Sequence, residues 1–77
     1  MTFSDLYLQL VSGTPIKRKP WRGYWKFDPE VNNIRIFTKE GGEILITDTQ
    51  NVFTTFANIA CDDWEVATSV NCDIVIK

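Results

Sequence analysis

The amino-acid sequence predicts a small α+β fold: a single domain over residues 1–77, with a small antiparallel sheet, an N-terminal helix and a second short helix. Three observations predict it. A capped, helix-spaced apolar segment opens the chain, and two alternating β-rich runs joined by a glycine-containing loop lie in its middle. A second helix-spaced segment then precedes two last β-rich runs, with no repeat, low-complexity tract or linker between them. A chain of 77 residues hides only about 60% of the surface its unfolded form exposes, so its core is small. Aromatic residues make up 13% of it, with three Trp, which is more ring surface than so small a core hides. A second copy of the chain is the expected cover for the remainder.

Thr2 and Asp5 have the spacing of a capping box, with Asp in place of Glu or Gln. Phe3, Leu6, Tyr7 and Leu10 follow at helical intervals, Gly13 suits a left-handed C′ position, and Pro15 stands just beyond. This predicts a helix from about Ser4 to Ser12 with its apolar face on the core. Pro15 starts an extended segment in which Ile16 points inward and Lys17 outward. Pro20 removes an amide donor and predicts an edge or bend near Trp21. Gly23 allows a tight turn or a close backbone approach. Tyr24 to Phe27 reads as a strand, with Tyr24 and Lys26 on one face and Trp25 and Phe27 on the other.

Asp28, Pro29 and the pair Asn32–Asn33 are turn residues. Asn33 to Thr38 and Glu43 to Thr47 both alternate and flank a Lys-Glu-Gly-Gly loop, a hairpin signal. Asp48, Thr49 and Asn51 are candidate N-caps for the second helix. Val52, Phe53, Phe56 and Ala57 share one face of it, and Ala60 continues that face. Thr54 and Thr55 weaken the helix, which is therefore short or partly 3₁₀. Trp64 to Thr68 and Cys72 to Ile76 are the last two predicted strands.

Several function classes recede on composition. No histidine is present, which removes the commonest general base and half of most nucleophile pairs. Cys61 and Cys72 cannot form a zinc site alone, and reduced thiols in a cytoplasm are the expectation. Asp62 and Asp63, adjacent in an extended segment, point to opposite faces and share neither a proton nor a metal easily. No signal peptide and no membrane-length apolar run is read. Neither enzymatic activity nor a metal or cofactor is expected.

The stretch from Ile16 to Phe27 stands apart. It holds Lys17, Arg18, Lys19, Arg22 and Lys26 beside Trp21, Tyr24 and Trp25, and no acidic residue falls between Asp5 and Asp28. Flat rings beside guanidinium and ammonium groups suit a ligand with planar faces and negative charge, such as a nucleotide. The alternative is that the indoles are core or interface residues and the cations keep a strand edge in water. A net charge of -2 and an isoelectric point near 4.9 argue against a nucleic-acid backbone as partner.

Three elements occur in a telling order: the helix-like Phe3 to Gly13 followed by Ile16 and Arg18, then Trp21-Arg22-Gly23, then Ala60-Cys61-Asp62-Asp63-Trp64-Glu65-Val66. In this the chain resembles a family of short phage proteins that includes anti-Thoeris sponges of the second type. The resemblance spans roughly residues 3 to 66. The stretch between Trp25 and Thr49 is shorter than in the family, and the tail from Ala67 to Lys77 lies outside the likeness. The resemblance implies a compact helix-and-sheet protein assembled as a dimer or tetramer. It implies binding, in pockets between protomers, of cyclic ADP-ribose isomers made by bacterial TIR-domain immune proteins, or of other cyclic nucleotides. The ligand is sequestered without cleavage, in the cytoplasm of an infected cell. On that reading Trp21 with Tyr24 or Trp25 stacks on bases, Arg18 and Arg22 hold the pyrophosphate, and Asp63 accepts from a ribose hydroxyl or an adenine amine. Trp64 is expected in the core. The alternative function is inhibition of a host protein by direct contact through the aromatic-basic segment.

Overall fold

The capping box forms, and it fixes where the first helix starts. Thr2 Oγ1 accepts from the Asp5 amide at 3.1 Å, and the Asp5 carboxylate accepts from the Thr2 amide at 2.9 Å. These bonds to Thr2 hold the Asp5 carboxyl below the usual carboxylate range. In this computed structural model, which describes residues 1–73 and 76, helix α1 runs Phe3–Val11. Gly13 follows at φ +107°, the left-handed conformation that ends helices.

Five antiparallel strands form one sheet in the order β4-β3-β2-β1-β5. They are β1 Ile16–Arg18, β2 Tyr24–Asp28, β3 Asn33–Phe37, β4 Glu43–Leu45 and β5 Trp64–Val66. The predicted hairpin is β3–β4, closed by the Thr38 amide on the Gly42 carbonyl at 2.9 Å. Its second strand is shorter than expected, because Ile46–Asp48 turn into a 3₁₀ helix. The last predicted strand is not seen at Cys72 and Asp73, which lie outside any strand. Its Ile74 and Val75 are outside the described residues.

Register decides the faces. Ile16 stands opposite Trp25 and Val66, Trp25 opposite Ile36, and Phe27 opposite Ile34. Alternation therefore gathers these apolar side chains on one face, where α1 lays Leu6 and Leu10 against Ile16, Trp25 and Trp64. All five are at most 3% exposed, and burying each such side chain contributes about 1.5–3 kcal/mol. Phe3 meets Trp64 and Trp25 edge-on, at 5.2 and 6.2 Å between centroids, the arrangement ring quadrupoles favour.

The opposite face is covered too. There Tyr24 and Phe37 stack at 4.7 Å and pack with Ala67 and Cys72. The segment after β5 folds beneath the sheet, fastened by the Ala67 amide on Pro15 O and the Asp73 amide on Arg22 O. Burial there pushes the Cys72 thiol up. This cover corrects the placing of Lys17 in solvent. Lys17 does point away from Ile16, but its side chain is 1% exposed. Its ammonium donates to Glu65 Oε2 at 2.9 Å and to Lys19 O at 3.2 Å, so the buried charge is paired and hydrogen-bonded.

Gly23 makes the close approach that its position implied. A Cβ there would stand 2.1 Å from the Phe37 carbonyl oxygen. Only glycine lets the β2 entrance press against the end of β3. Among the described residues no helix is long and apolar enough to cross a membrane.

Candidate functional site

The second helix, α2, runs Val52–Ile59, and the Asn51 side chain caps it by accepting from the Thr54 amide at 3.0 Å. It lies over the same sheet face as α1, but the opposite way up. Phe53 is 83% exposed, Phe56 58% and Val52 50%. The apolar stripe looks outward. The side chains turned toward the sheet include Thr55 and Asn58, which sit with Asn51 and Thr54 at positions i, i+3, i+4 and i+7 of one polar stripe.

Polar groups fasten the C-terminal end of α2. The Trp64 indole N–H donates to Asn58 O at 3.0 Å, and Arg18 Nη1 donates to Asn58 Oδ1 at 2.9 Å. Ile59 alone of its apolar residues packs on the main core. Toward its N-terminus the helix stands off the sheet, and a hollow of about 500 Å³ opens between them. That volume lies within the range of small-molecule sites, roughly 300–1,000 Å³.

The hollow has three walls of different chemistry. Trp21, Trp25 and Ile36 give an apolar floor, the α2 stripe gives hydroxyls and amides, and Arg22 and Lys39 stand at the end of the sheet beside Gly23. Trp21 is half-buried, tilted against Trp25 at 5.5 Å and edge-on to Trp64 at 5.2 Å. This indole therefore belongs to the core on one side and to the hollow on the other. Trp25 is 3% exposed and offers only a sliver of surface.

The sequence-predicted residues divide accordingly. Trp21, Arg22 and Trp25 come together in the lining. Tyr24 borders the hollow, but its ring stacks on Phe37 on the opposite sheet face and is 1% exposed, so it offers no face to a base. Arg18 and Asp63 are elsewhere, joined to each other. Arg18 Nε meets Asp63 Oδ1 at 2.8 Å and Nη2 meets Oδ2 at 2.9 Å, a two-pronged pair that occupies both groups. Arg18 holds the Asp63 carboxyl below its usual range, and Asp63 raises the guanidinium in turn. The guanidinium carbon also lies 5.9 Å from the Trp21 ring centre. Arg18 supports the indole from behind; it does not reach into the hollow.

Nothing in the sequence singles out Lys39 or the α2 stripe as site residues. The stripe was visible as helical spacing of Asn and Thr, but its orientation was not. Among the described residues no group of three or more His, Cys, Asp or Glu side chains is placed to hold a metal ion. Comparison of the chain with protein-family profiles, curated proteins and solved structures gives no match.

Proposed function

We propose that this protein binds and sequesters a cyclic nucleotide signal, of the class of cyclic ADP-ribose isomers, in the cytoplasm of a phage-infected cell. The observation that carries the reading is the hollow itself: an indole floor for a base, a hydroxyl-and-amide wall for ribose, and two cations for phosphate. Stacking on Trp21 is worth roughly 1–3 kcal/mol, and Arg22 and Lys39 add charge-assisted hydrogen bonds to phosphate oxygens. The lack of histidine in the chain supports holding without cleavage.

The same reading includes self-association, with a second copy over the outer face of α2. That helix carries no charged residue, and Phe53 and Phe56 stand beside the small Ala57 and Ala60, a surface able to mesh with its own copy. The two phenylalanines expose roughly 200–300 Å², taking about 200 Å² per ring side chain, against about 800 Å² per partner in a stable interface. Leu8, 75% exposed on α1 over the same sheet face, is a candidate to extend it. Inhibition of a host protein through the aromatic-basic segment draws less support, because Trp25 and Tyr24 are buried.

Calorimetric titration with cyclic ADP-ribose isomers tests the binding. Saturable heat is expected, with intact ligand recovered on heating and binding weakened in Trp21→Ala at unchanged oligomer size. No heat with any cyclic nucleotide would remove the reading.

A further inference from the structure

Two arginines flank the floor of the hollow, and they are held very differently. Arg18 meets Asp63 prong to prong, one nitrogen to each oxygen, with side chains 21% and 31% exposed. Arg22 brings both Nε and Nη2 to the single oxygen Oδ1 of Asp73, at 2.9 and 2.6 Å, with side chains 48% and 50% exposed. The first is a built structural pair. The second is an exposed pair of the kind that contributes little and exchanges readily. Asp73 sits on the segment folded beneath the sheet, and its amide donates to the Arg22 carbonyl at 3.0 Å, so its carboxylate is delivered to the guanidinium by the backbone. The charge of Lys39 also acts on that carboxylate. Arg22 and Lys39 are the two cations of the hollow's lining, and Lys39 has no ion-pair partner among the described residues.

We propose that Asp73 is the resident anion on Arg22 at the edge of the hollow, and that a ligand phosphate held between Arg22 and Lys39 displaces its carboxylate from Arg22. The inference rests on the nucleotide-binding reading above and adds how that site is regulated. A carboxylate and a phosphate oxygen make the same demand on a guanidinium, so the two compete for one set of donors. A doubly charged pyrophosphate with several acceptor oxygens wins over one half-exposed carboxylate. A neutral or singly charged ligand does not. Asp73 thereby sets a threshold of negative charge for entry, and binding releases the strap that carries it.

Calorimetry on the full chain with two probes, cyclic ADP-ribose and adenosine, tests the exchange. Asp73→Asn removes the competing charge and keeps the backbone bond to Arg22. It is expected to tighten cyclic ADP-ribose about three- to fivefold, the scale of an exposed ion pair, and to leave adenosine unchanged. Arg22→Gln is expected to abolish that gain in the double variant. A weaker or unchanged affinity in Asp73→Asn would show Asp73 to be a positioning residue for Arg22 and would overturn the exchange alone. Absence of cyclic ADP-ribose binding by both wild type and Asp73→Asn would instead overturn the nucleotide reading, and the exchange with it. Amide hydrogen exchange of the wild type gives a readout independent of the variants. The Asp73 amide is expected to exchange faster with ligand bound; slower exchange would contradict displacement.

Discussion

Helices α1 and α2 lie on the same face of one sheet and use their apolar stripes in opposite directions. In α1 the stripe faces inward, and Leu6 and Leu10 are completely buried. In α2 it faces outward with Phe53 and Phe56, and no residue of the helix is buried. Amphipathic spacing says that a helix has two faces without saying which one meets the sheet. Here Trp64 settles it. Its indole needs an acceptor when buried and finds Asn58 O, while Arg18 takes the Asn58 side chain. The end of α2 is thus tied down by polar bonds, and its Thr and Asn residues line a cavity in place of a core.

Cutting equivalent stripes separates the two helices most sharply. Leu10→Ala empties a site on the inner face of α1 and is expected to cost about 2–5 kcal/mol by chemical denaturation. Phe53→Ser, on the outer face of α2, is expected to change stability by no more than about 0.5 kcal/mol while weakening the proposed self-association in light scattering. Equal costs would mean that the two helices pack alike.

Acid separates the ties from the packing. Asp5, Asp28, Asp63 and Asp73 all have carboxyls held below the usual range, by Thr2, Arg35, Arg18 and Arg22 respectively. Lowered folded-state values mean that the unfolded chain takes up protons first. Stability is therefore full above the unfolded carboxylate range, near pH ~4, and is lost as pH falls through the folded values. The urea midpoint should be flat around neutrality and fall on acidification, with Asp63→Asn showing a shallower fall. A midpoint insensitive to acid would mean that these pairs contribute nothing.

Asn58→Ala is a smaller cut, expected to cost about 1 kcal/mol through the lost acceptor for Arg18. Amide exchange should rise in α2 and stay unchanged in α1. Smallest in stability is Thr55→Val, which keeps shape and removes one hydroxyl from the cavity wall. Ligand affinity should respond to it while the denaturation midpoint stays within error.

What could be read in the sequence follows from how local each feature is. The Thr2–Asp5 box, the Gly13 ending, the β3–β4 hairpin and the Gly23 approach depend on neighbours in the chain, and all four are present. Alternation rightly faces Lys17 away from Ile16, yet the Ala67–Asp73 segment covers that outer face, a long-range event. The resemblance makes Arg18 and Asp63 separate ligand contacts; that they meet each other, 45 residues apart, is a tertiary fact. Lys39 joins the site only because Gly23 draws β2 against the end of β3. Asn51, Thr54, Thr55 and Asn58 carried the information as a polar stripe, which local rules read as the solvent side.

A two-dimensional NMR titration of isotope-labelled protein with cyclic ADP-ribose tests directly whether the hollow holds the ligand. Shifts are expected in the Trp21 indole, the Asn51–Asn58 stripe, Arg22, Lys39 and the Asp73 amide released with its carboxylate, with the α1 amides unmoved. Shifts centred on α1, or none in the Trp21 indole at saturating ligand, would contradict binding there.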